Sequence, residues 1–373
     1  MRTAVVHDWL NGRRGGEKVL EAILPLVPDP TIFTLFYTPG SVSPAVERYP
    51  IRASFLNTLP FSRSHYRNYL PLFPRAVESF DLSGFDLVVS ISHCVAKGAI
   101  APPGVPHLCY CNSPVRWAYE MFDLYFPRDR TRFFLLKKWA VDRLRRWDIA
   151  TANRPTRLLG NSSVIVERIR RHWNRESRAL FPPVDVAYFT PSAAPRKDFL
   201  LAVGALVPYK RFELAIEAAK ALGRPLVLVG NGPEEARLRA MAGSSVRMVA
   251  GIPGEELREL YRTCAAYVQP GEEDFGIATV EALACGAPVV ALGRGGVRDM
   301  VRDPEHGVLY AEESAAALTA AVRRLETMSF DYNALRASAL RFSPERFAEE
   351  FRAEVAALLP PAARRSPETK AVR

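Results

Sequence analysis

Short apolar runs, rich in β-branched residues, recur along the chain, and most are followed by a stretch with helical spacing. Thr3–His7 (TAVVH) is the first, with a Gly-rich turn and a helical stretch at Gly16–Leu26 behind it. Thr31–Tyr37, Asp86–Ser92 (DLVVSIS) and His107–Cys111 continue the series. Runs that are apolar throughout suit strands covered on both faces, as in a parallel sheet. The series restarts at Phe199–Val203 and goes on through Leu226–Gly230, Val246–Val249, Ala265–Gln269 and Pro288–Ala291. Two series of strand–helix units predict an α/β chain with two doubly wound, Rossmann-like domains. The stretch 181–198 (FPPVDVAYFTPSAAPRKD) carries four prolines and little periodicity, as a joint would. The expected division is residues 1–185 and 186–343. A last helix at about 344–359 is expected to pack back on the first domain, and 360–373 is expected to be a flexible tail. Open α/β sheets bind ligands outside the carboxyl ends of their strands, so two facing sheets predict one central cleft.

Composition narrows this picture. Of 373 residues, 48% are hydrophobic and 24% charged, which excludes a disordered, collagen-like or disulfide-scaffold chain. The formal net charge of +10 is concentrated in two places. Arg128–Arg146 holds eight basic and two acidic residues, and Arg364–Arg373 four basic and one acidic. The rest is near neutral, so no nucleic-acid partner is expected. Phe133, Phe134, Trp139 and Trp147 are interleaved with the first basic stretch. That mixture reads either as a peripheral contact with an anionic membrane or as a helix with an aromatic core face and a basic outer face. A similar aromatic–basic mix occurs at Ser54–Phe73. The five cysteines form no C-x-x-C pair and sit in apolar runs, which predicts buried free thiols in a reducing compartment. The N-terminal apolar run is too short for a signal peptide, and no stretch reaches the ~20 apolar residues of a membrane helix. A cytoplasmic protein is expected, with peripheral contact at the inner face of the cytoplasmic membrane as a further expectation.

Three segments carry candidate chemistry. In Gly271–Val290 (GEEDFGIATVEALACGAPVV) a helix is predicted to start near Phe275–Gly276, with Asp274 as its N-cap and Cys285–Gly286 at its end. Glu273 before the helix and Glu281 within it can face one cleft. Carboxylates accept hydrogen bonds from hydroxyl pairs of a sugar or ribose, and free N–H groups at a helix start suit a phosphate. The competing reading is an ordinary exposed acidic helix start. In VGALVPYKRFELAIEAA, Lys210 and Arg211 stand where a helix begins, opposing its dipole; a diphosphate would compensate them, and a solvated pair is the alternative. Gly15 and Gly16 precede the first helix and permit close approach or positive φ. LVLVGNGPEE has Glu235 where a dinucleotide fingerprint needs its third glycine, so it reads as a plain turn. His7 and His93, with Lys97 nearby, read as hydrogen-bonded structural residues. No H-E-x-x-H and no histidine pair at ligand spacing occurs, so no metal site is expected. No G-x-S-x-G supports a hydrolase.

Six short motifs occur in order: GGEKV (15–19), SHCVAKG (92–98), YCNSPVRW (110–117), PPVD (182–185), LVPYKR (206–211) and the E-x7-E pair Glu273/Glu281. Together they resemble the retaining glycosyltransferases of family 4, with the GT-B fold, over nearly the whole chain. PGEEDFGIATVEALACGAPVVALGRGG is most similar to bacterial polysaccharide mannosyltransferases. The resemblance implies a hexosyltransferase, a mannosyltransferase using GDP-mannose, with a glycan or lipid-linked saccharide as acceptor. It implies no metal and no cofactor beyond the nucleotide-sugar substrate. Lys210, with Arg211, would neutralise the diphosphate, Glu273 would contact the donor sugar, and Glu281 the ribose. Gly15, Gly16, the backbone of Phe275, Gly276 and Ile277, and Asn112 would complete the donor site. Two positions depart from the family pattern. Ala205 stands where an Arg is frequent five residues before the lysine, and Asn112 replaces the usual His. They motivate the alternative of a non-catalytic GT-B homologue that binds nucleotide sugar or a partner transferase.

Overall fold

The computed structural model describes residues 1–12, 15–62, 64–128 and 132–359. Two all-parallel sheets organise it. The first holds β1 (Thr3–His7), β2 (Pro30–Thr34), β3 (Ile51–Ala53), β4 (Leu87–Ser92), β5 (His107–Cys111), β6 (Arg157–Gly160) and β7 (Arg178–Ala179). Their order across the sheet is β3-β2-β1-β4-β5-β6-β7. The second holds β8 (Leu200–Val203), β9 (Leu226–Val229), β10 (Val246–Val249), β11 (Ala266–Gln269), β12 (Val289–Leu292) and β13 (Gly307–Tyr310), in the order β10-β9-β8-β11-β12-β13. Each sheet therefore reverses its winding once, between β1 and β4 in the first lobe and between β8 and β11 in the second. Those reversals are the places where such sheets bind ligands.

The apolar runs make strands because both faces need covering. Ala4 and Val6 of β1 pack with Phe33, Phe73 and Val88, while Val5 packs with Leu20, Ile32 and Leu87 on the opposite face. Leu200 and Ala202 of β8 likewise face one cluster and Leu201 the other. Each fully buried Val, Leu, Ile or Phe side chain among these contributes about 1.5–3 kcal/mol relative to exposure. The chain then crosses back. Ser343 caps the helix Pro344–Leu358 by accepting from the Arg346 N–H. Phe347, Phe351 and Val355 of that helix are buried beside Val5, Leu20 and Ile23 of the first lobe. Arg178 of β7 pairs with Glu354 at 2.8 Å. The expected tail at 360–373 lies outside the described residues, as do Asp129, Arg130 and Thr131 of the basic stretch.

All five cysteines are free and buried. Burial pushes Cys109, Cys264 and Cys285 up to about 12, so these thiols stay protonated. No described helix is long and apolar enough to cross a membrane.

Candidate active site

The second lobe supplies a cation and an acid in contact. β8 ends at Val203, and a single 3-10 turn, Pro208–Lys210, carries the lysine back over the strand end. The Lys210 ammonium donates to Glu273 Oε1 at 2.9 Å. Both side chains are largely enclosed, at 11% and 16% exposure. Two glycines make the contact sterically possible. A Cβ on Gly204 would collide with Lys210 Nζ, and one on Gly271 would collide with the Tyr209 carbonyl. Glu273 is held through its own backbone: its carbonyl accepts from the Gly296 N–H at 2.9 Å. A side chain on Gly295 would strike that same carbonyl. Arg211 does not share this site. Its φ of +54° turns the chain into the next helix, and its guanidinium pairs with Glu313 at 2.8 Å and Glu213 at 3.2 Å. The basic pair is thus split, with Lys210 facing Glu273 and Arg211 answered by two other carboxylates.

The helix after β11 runs Ile277–Ala284, with Gly276 at its N-cap and φ of +108°. The N-cap is not Asp274. That carboxylate is drawn away by Arg168 and by Arg116, which lies 3.3 Å off, and two guanidiniums outweigh one capping hydrogen bond. The Phe275 side chain is buried and stacks on Phe181 at 6.0 Å, so only its backbone can serve a ligand. Gly276 is tight as well, because a Cβ there would lie 3.0 Å from Gln269 Oε1. Ile277 begins the helix, and its Cδ1 would sit 3.4 Å from a Cβ on Gly15 of the first lobe. One turn on, Glu281 is buried at 5% exposure. Tyr261 donates its phenol O–H to Glu281 Oε2 at 3.0 Å. Lys18 reaches across from the first lobe to Oε1 at 3.4 Å. Burial pushes the Glu281 carboxyl above its ordinary range, and Lys18 and the Tyr261 hydrogen bond oppose that shift.

In the first lobe, Gly15 and Gly16 open the helix Gly15–Ile23 rather than forming a loop, and neither adopts positive φ. Their value is space. A Cβ on Gly16 would lie 3.5 Å from Asn112 Nδ2 and 3.6 Å from His7 Nε2. Asn112 follows β5 and donates its backbone N–H to the Ser92 carbonyl at 2.8 Å. The SHCVAKG segment has a structural task. The buried Asp8 carboxylate accepts four backbone N–H groups, from His93, Cys94, Val95 and Ala96, at 2.7–2.9 Å. That nest ties the end of β1 to the turn after β4. Lys97 is wholly buried, donating to the Asp148 carbonyl at 2.6 Å and pairing with its carboxylate at 3.0 Å. His93 lies 3.2 Å from Asp8.

The two lobes are clasped at the acidic loop. Arg168 pairs with Asp274, with Glu272 at 2.6 Å and with Glu120 at 3.0 Å. Arg116 donates to the Glu272 carbonyl at 3.4 Å and stacks on Tyr209 at 4.9 Å. Ser162 donates to the Asp274 carbonyl at 2.5 Å, and the Ser163 N–H to Asp299 at 2.8 Å. Of the three consecutive acids, Glu272 and Asp274 face the first lobe and Glu273 faces Lys210. Lys210 and Glu273 thus meet after β8 and β11, where the second sheet reverses, Gly15, Gly16 and Asn112 follow β1 and β5 of the first sheet, and Lys18–Glu281 and Gly15–Ile277 bring the two groups together. A cation beside an acid there can hold a polyanion and a polyol together. Among the described residues, no group of three His, Cys, Asp or Glu side chains is arranged to hold a metal ion.

Sequence reasoning passed over Arg116, Arg168, Tyr261, Lys18 and Gly204. Arg116 sits inside the YCNSPVRW motif and Lys18 inside GGEKV, so both were within reach. Arg168 and Tyr261 lie on ordinary amphipathic helices, and nothing local marks them.

Residues 189–341 match the family described as "Glycosyl transferases group 1". A D-inositol 3-phosphate glycosyltransferase of Acidothermus cellulolyticus is 34% identical over 179 residues, 40% of this chain and 40% of that protein. A GDP-mannose-dependent alpha-mannosyltransferase of Mycolicibacterium smegmatis is 31% identical over 192 residues, 48% of this chain and 51% of that protein. The chain thus spans about half the length of the curated relatives it matches. The solved sucrose-phosphate synthase of Thermosynechococcus elongatus superimposes with a TM-score of 0.72 at 18% identity, over 96% of this chain and 99% of that one. That likeness extends over both lobes and establishes the GT-B fold.

Proposed function

We propose, from a second lobe that belongs to the group 1 glycosyl transferases, that the chain is a retaining hexosyltransferase acting on a nucleotide-diphosphate sugar. GDP-mannose is the donor we favour, and a glycan or lipid-linked saccharide the acceptor. The observation that carries this reading is the Lys210–Glu273 contact of 2.9 Å, at the loop that leads into the helix carrying the buried Glu281. Cleaving the bond between the anomeric carbon and the diphosphate leaves negative charge on phosphate oxygens. The Lys210 ammonium and the N–H groups at the start of the helix Ile277–Ala284 are fixed donors for that charge as it develops. Glu273 accepts from hydroxyls of the sugar, and Glu281 from the ribose. Retention follows if the acceptor oxygen bonds the anomeric carbon on the face the phosphate leaves, with the acceptor's proton passing to a departing phosphate oxygen. The Arg116 and Arg168 clasp holds the lobes together and excludes water, which would compete as acceptor. These parts involve no metal and no further cofactor.

The helix Phe134–Ala150 adds a membrane contact to the proposal. Phe133, Leu135, Leu136 and Trp139 are exposed at 65%, 75%, 62% and 53%. Arg132, Lys137, Lys138 and Arg143 are exposed beside them. An apolar ridge among cations suits an anionic bilayer, which would bring a lipid-linked acceptor to the cleft.

The test is titration calorimetry of the whole chain with GDP, UDP and ADP, followed by release of labelled nucleotide from the matching hexose donor. Nucleotide binding with turnover is expected. Binding without turnover would favour the non-catalytic homologue that Asn112 and Ala205 suggest, and absence of binding would remove the proposal.

A further inference from the structure

Arg116 opens the short helix Arg116–Tyr119 that follows β5, yet its guanidinium lies against the second lobe, at 9% exposure. Its Nε is 3.3 Å from Asp274 Oδ1, and both Nη groups donate to the Glu272 carbonyl at 3.4 Å. Its Cζ sits 4.9 Å from the centre of the Tyr209 ring. Glu272 and Asp274 flank Glu273, and Tyr209 immediately precedes Lys210. One side chain of the first lobe therefore grips both backbone segments whose side chains meet at 2.9 Å. Those segments also press on each other directly, since a Cβ on Gly271 would strike the Tyr209 carbonyl. Burial pushes the Tyr209 phenol above its usual range, the Glu273 and Asp274 carboxylates push the same way, and Arg116 opposes them. The phenol stays neutral, and the guanidinium faces an uncharged aromatic ring.

We propose that Arg116 is a positioning residue, which from the first lobe fixes the turn carrying Lys210 and the loop carrying Glu273 relative to each other. Its bearing on catalysis rests on the glycosyltransferase reading and goes beyond it, because that reading uses Arg116 only to hold the lobes together. Arg168 is the comparison within the same clasp. It pairs with the carboxylates of Glu120, Glu272 and Asp274, none of them beside Lys210. Arg168 thus draws the acidic loop toward the first lobe without tying it to the lysine turn. The chemistry explains why residue 116 is an arginine. A guanidinium is planar, with a fork of donors along its edge and a face left free for an aromatic ring, whereas an ammonium is a compact point charge. A lysine at this position would keep the attraction to Asp274 and lose the combined grip on the Glu272 carbonyl and the Tyr209 ring. Displacing a reacting group by about 1 Å can cost ~10²-fold in rate, so the loss should appear in kcat.

The coupling between Lys210 and Glu273 is read from urea unfolding of the whole chain as wild type, Lys210→Ala, Glu273→Gln and the double variant. The same cycle is then measured in four backgrounds: Arg116→Lys, Arg168→Lys, Tyr209→Phe and Tyr209→Leu. Arg116→Lys and Tyr209→Leu should each reduce the coupling by about half or more. Arg168→Lys should lower the urea midpoint and leave the coupling intact, and Tyr209→Phe, which keeps the ring, should leave it intact too. The rate is followed as nucleotide release from GDP-mannose and from UDP-glucose. There Arg116→Lys should lose about tenfold to a hundredfold in kcat, with KM within about threefold of wild type. Adding Tyr209→Leu to Arg116→Lys should cost little more, since both break one contact. Wild-type coupling or wild-type kcat in Arg116→Lys would overturn the inference. An equal loss of coupling in Arg168→Lys would also overturn it, by showing that any loosening of the clasp has the same effect. If Arg116→Lys does not fold, wild-type coupling in Tyr209→Leu overturns it instead. The cycle needs no substrate. A wild type that releases nucleotide from neither donor would therefore strike the functional reading, while the coupling still decides the positioning.

Discussion

Replacing Lys210 with alanine separates an ion pair that merely holds the fold from one that serves the reaction. The ammonium is 2.9 Å from Glu273 Oε1, and both side chains are mostly enclosed. Removing the lysine strands the Glu273 carboxylate. Breaking a fully buried pair costs about 3–5 kcal/mol. This pair is only mostly buried, at 11% and 16% exposure, so roughly 1–3 kcal/mol is the appropriate range, seen as a lower midpoint in urea. The chemical cost is separate. A fixed donor aimed at developing charge is worth about 2.7–4 kcal/mol, or ~10²–10³ in kcat. Lys210→Ala should therefore lower kcat by that factor with KM changed only a few-fold. The double variant Lys210→Ala/Glu273→Gln removes the stranded charge. It should regain most of the lost stability while kcat stays low, a non-additivity that a double-mutant cycle measures directly. A Lys210→Ala enzyme within about fivefold of wild-type kcat would rule out a role for Lys210 in the transition state. So would a double variant that recovers rate along with stability.

Two further outcomes follow from the same geometry. Burial raises the Glu281 carboxyl above its ordinary value of 4.5. The native state then holds a proton that the unfolded chain has released, so stability should fall as pH climbs from about 4.5 through the raised value. Glu281→Gln keeps an acceptor for Tyr261 and carries no titrating proton. The stability of wild type relative to that variant, from urea unfolding, should decline with pH across this window, and a flat or rising difference would contradict it. At the exposed ridge, wild type should sediment with vesicles containing phosphatidylglycerol and not with phosphatidylcholine alone. Leu135→Ser/Trp139→Ser should weaken that binding without changing nucleotide affinity; unchanged sedimentation would dismiss the contact.

Much of the fold was legible because its strands are continuous apolar runs. Thr3–His7, His107–Cys111 and Val246–Val249 appear with the boundaries expected from sequence. The strands that escaped notice are β3, β6, β7 and β13. IRA and RA are too short to show a period, and Arg157 opens RLLG with a charge. GVLY follows a Pro- and charge-rich turn that reads as loop. At the site, Lys210, Glu273 and Glu281 could be seen as strand-end motifs, but their partners could not. Arg168 meets Asp274 across 106 positions, and Lys18 meets Glu281 across 263. No local pattern encodes such pairings. The Asp274 cap failed for the same reason, since a guanidinium from the other lobe outbids a backbone N–H for that carboxylate. Gly16 was visible as a glycine, yet its nearness to His7 and Asn112 follows only from the sheet, which brings the ends of β1 and β5 close together.

On the proposed reading, Glu281 holds the ribose of a nucleoside diphosphate and Lys210 its phosphates. Titration calorimetry with GDP and GMP on wild type, Glu281→Ala and Lys210→Ala tests it most directly. Wild type should prefer GDP to GMP, Lys210→Ala should lose most of that preference, and Glu281→Ala should weaken both nucleotides by a similar factor. Equal binding of GDP by all three proteins would contradict it.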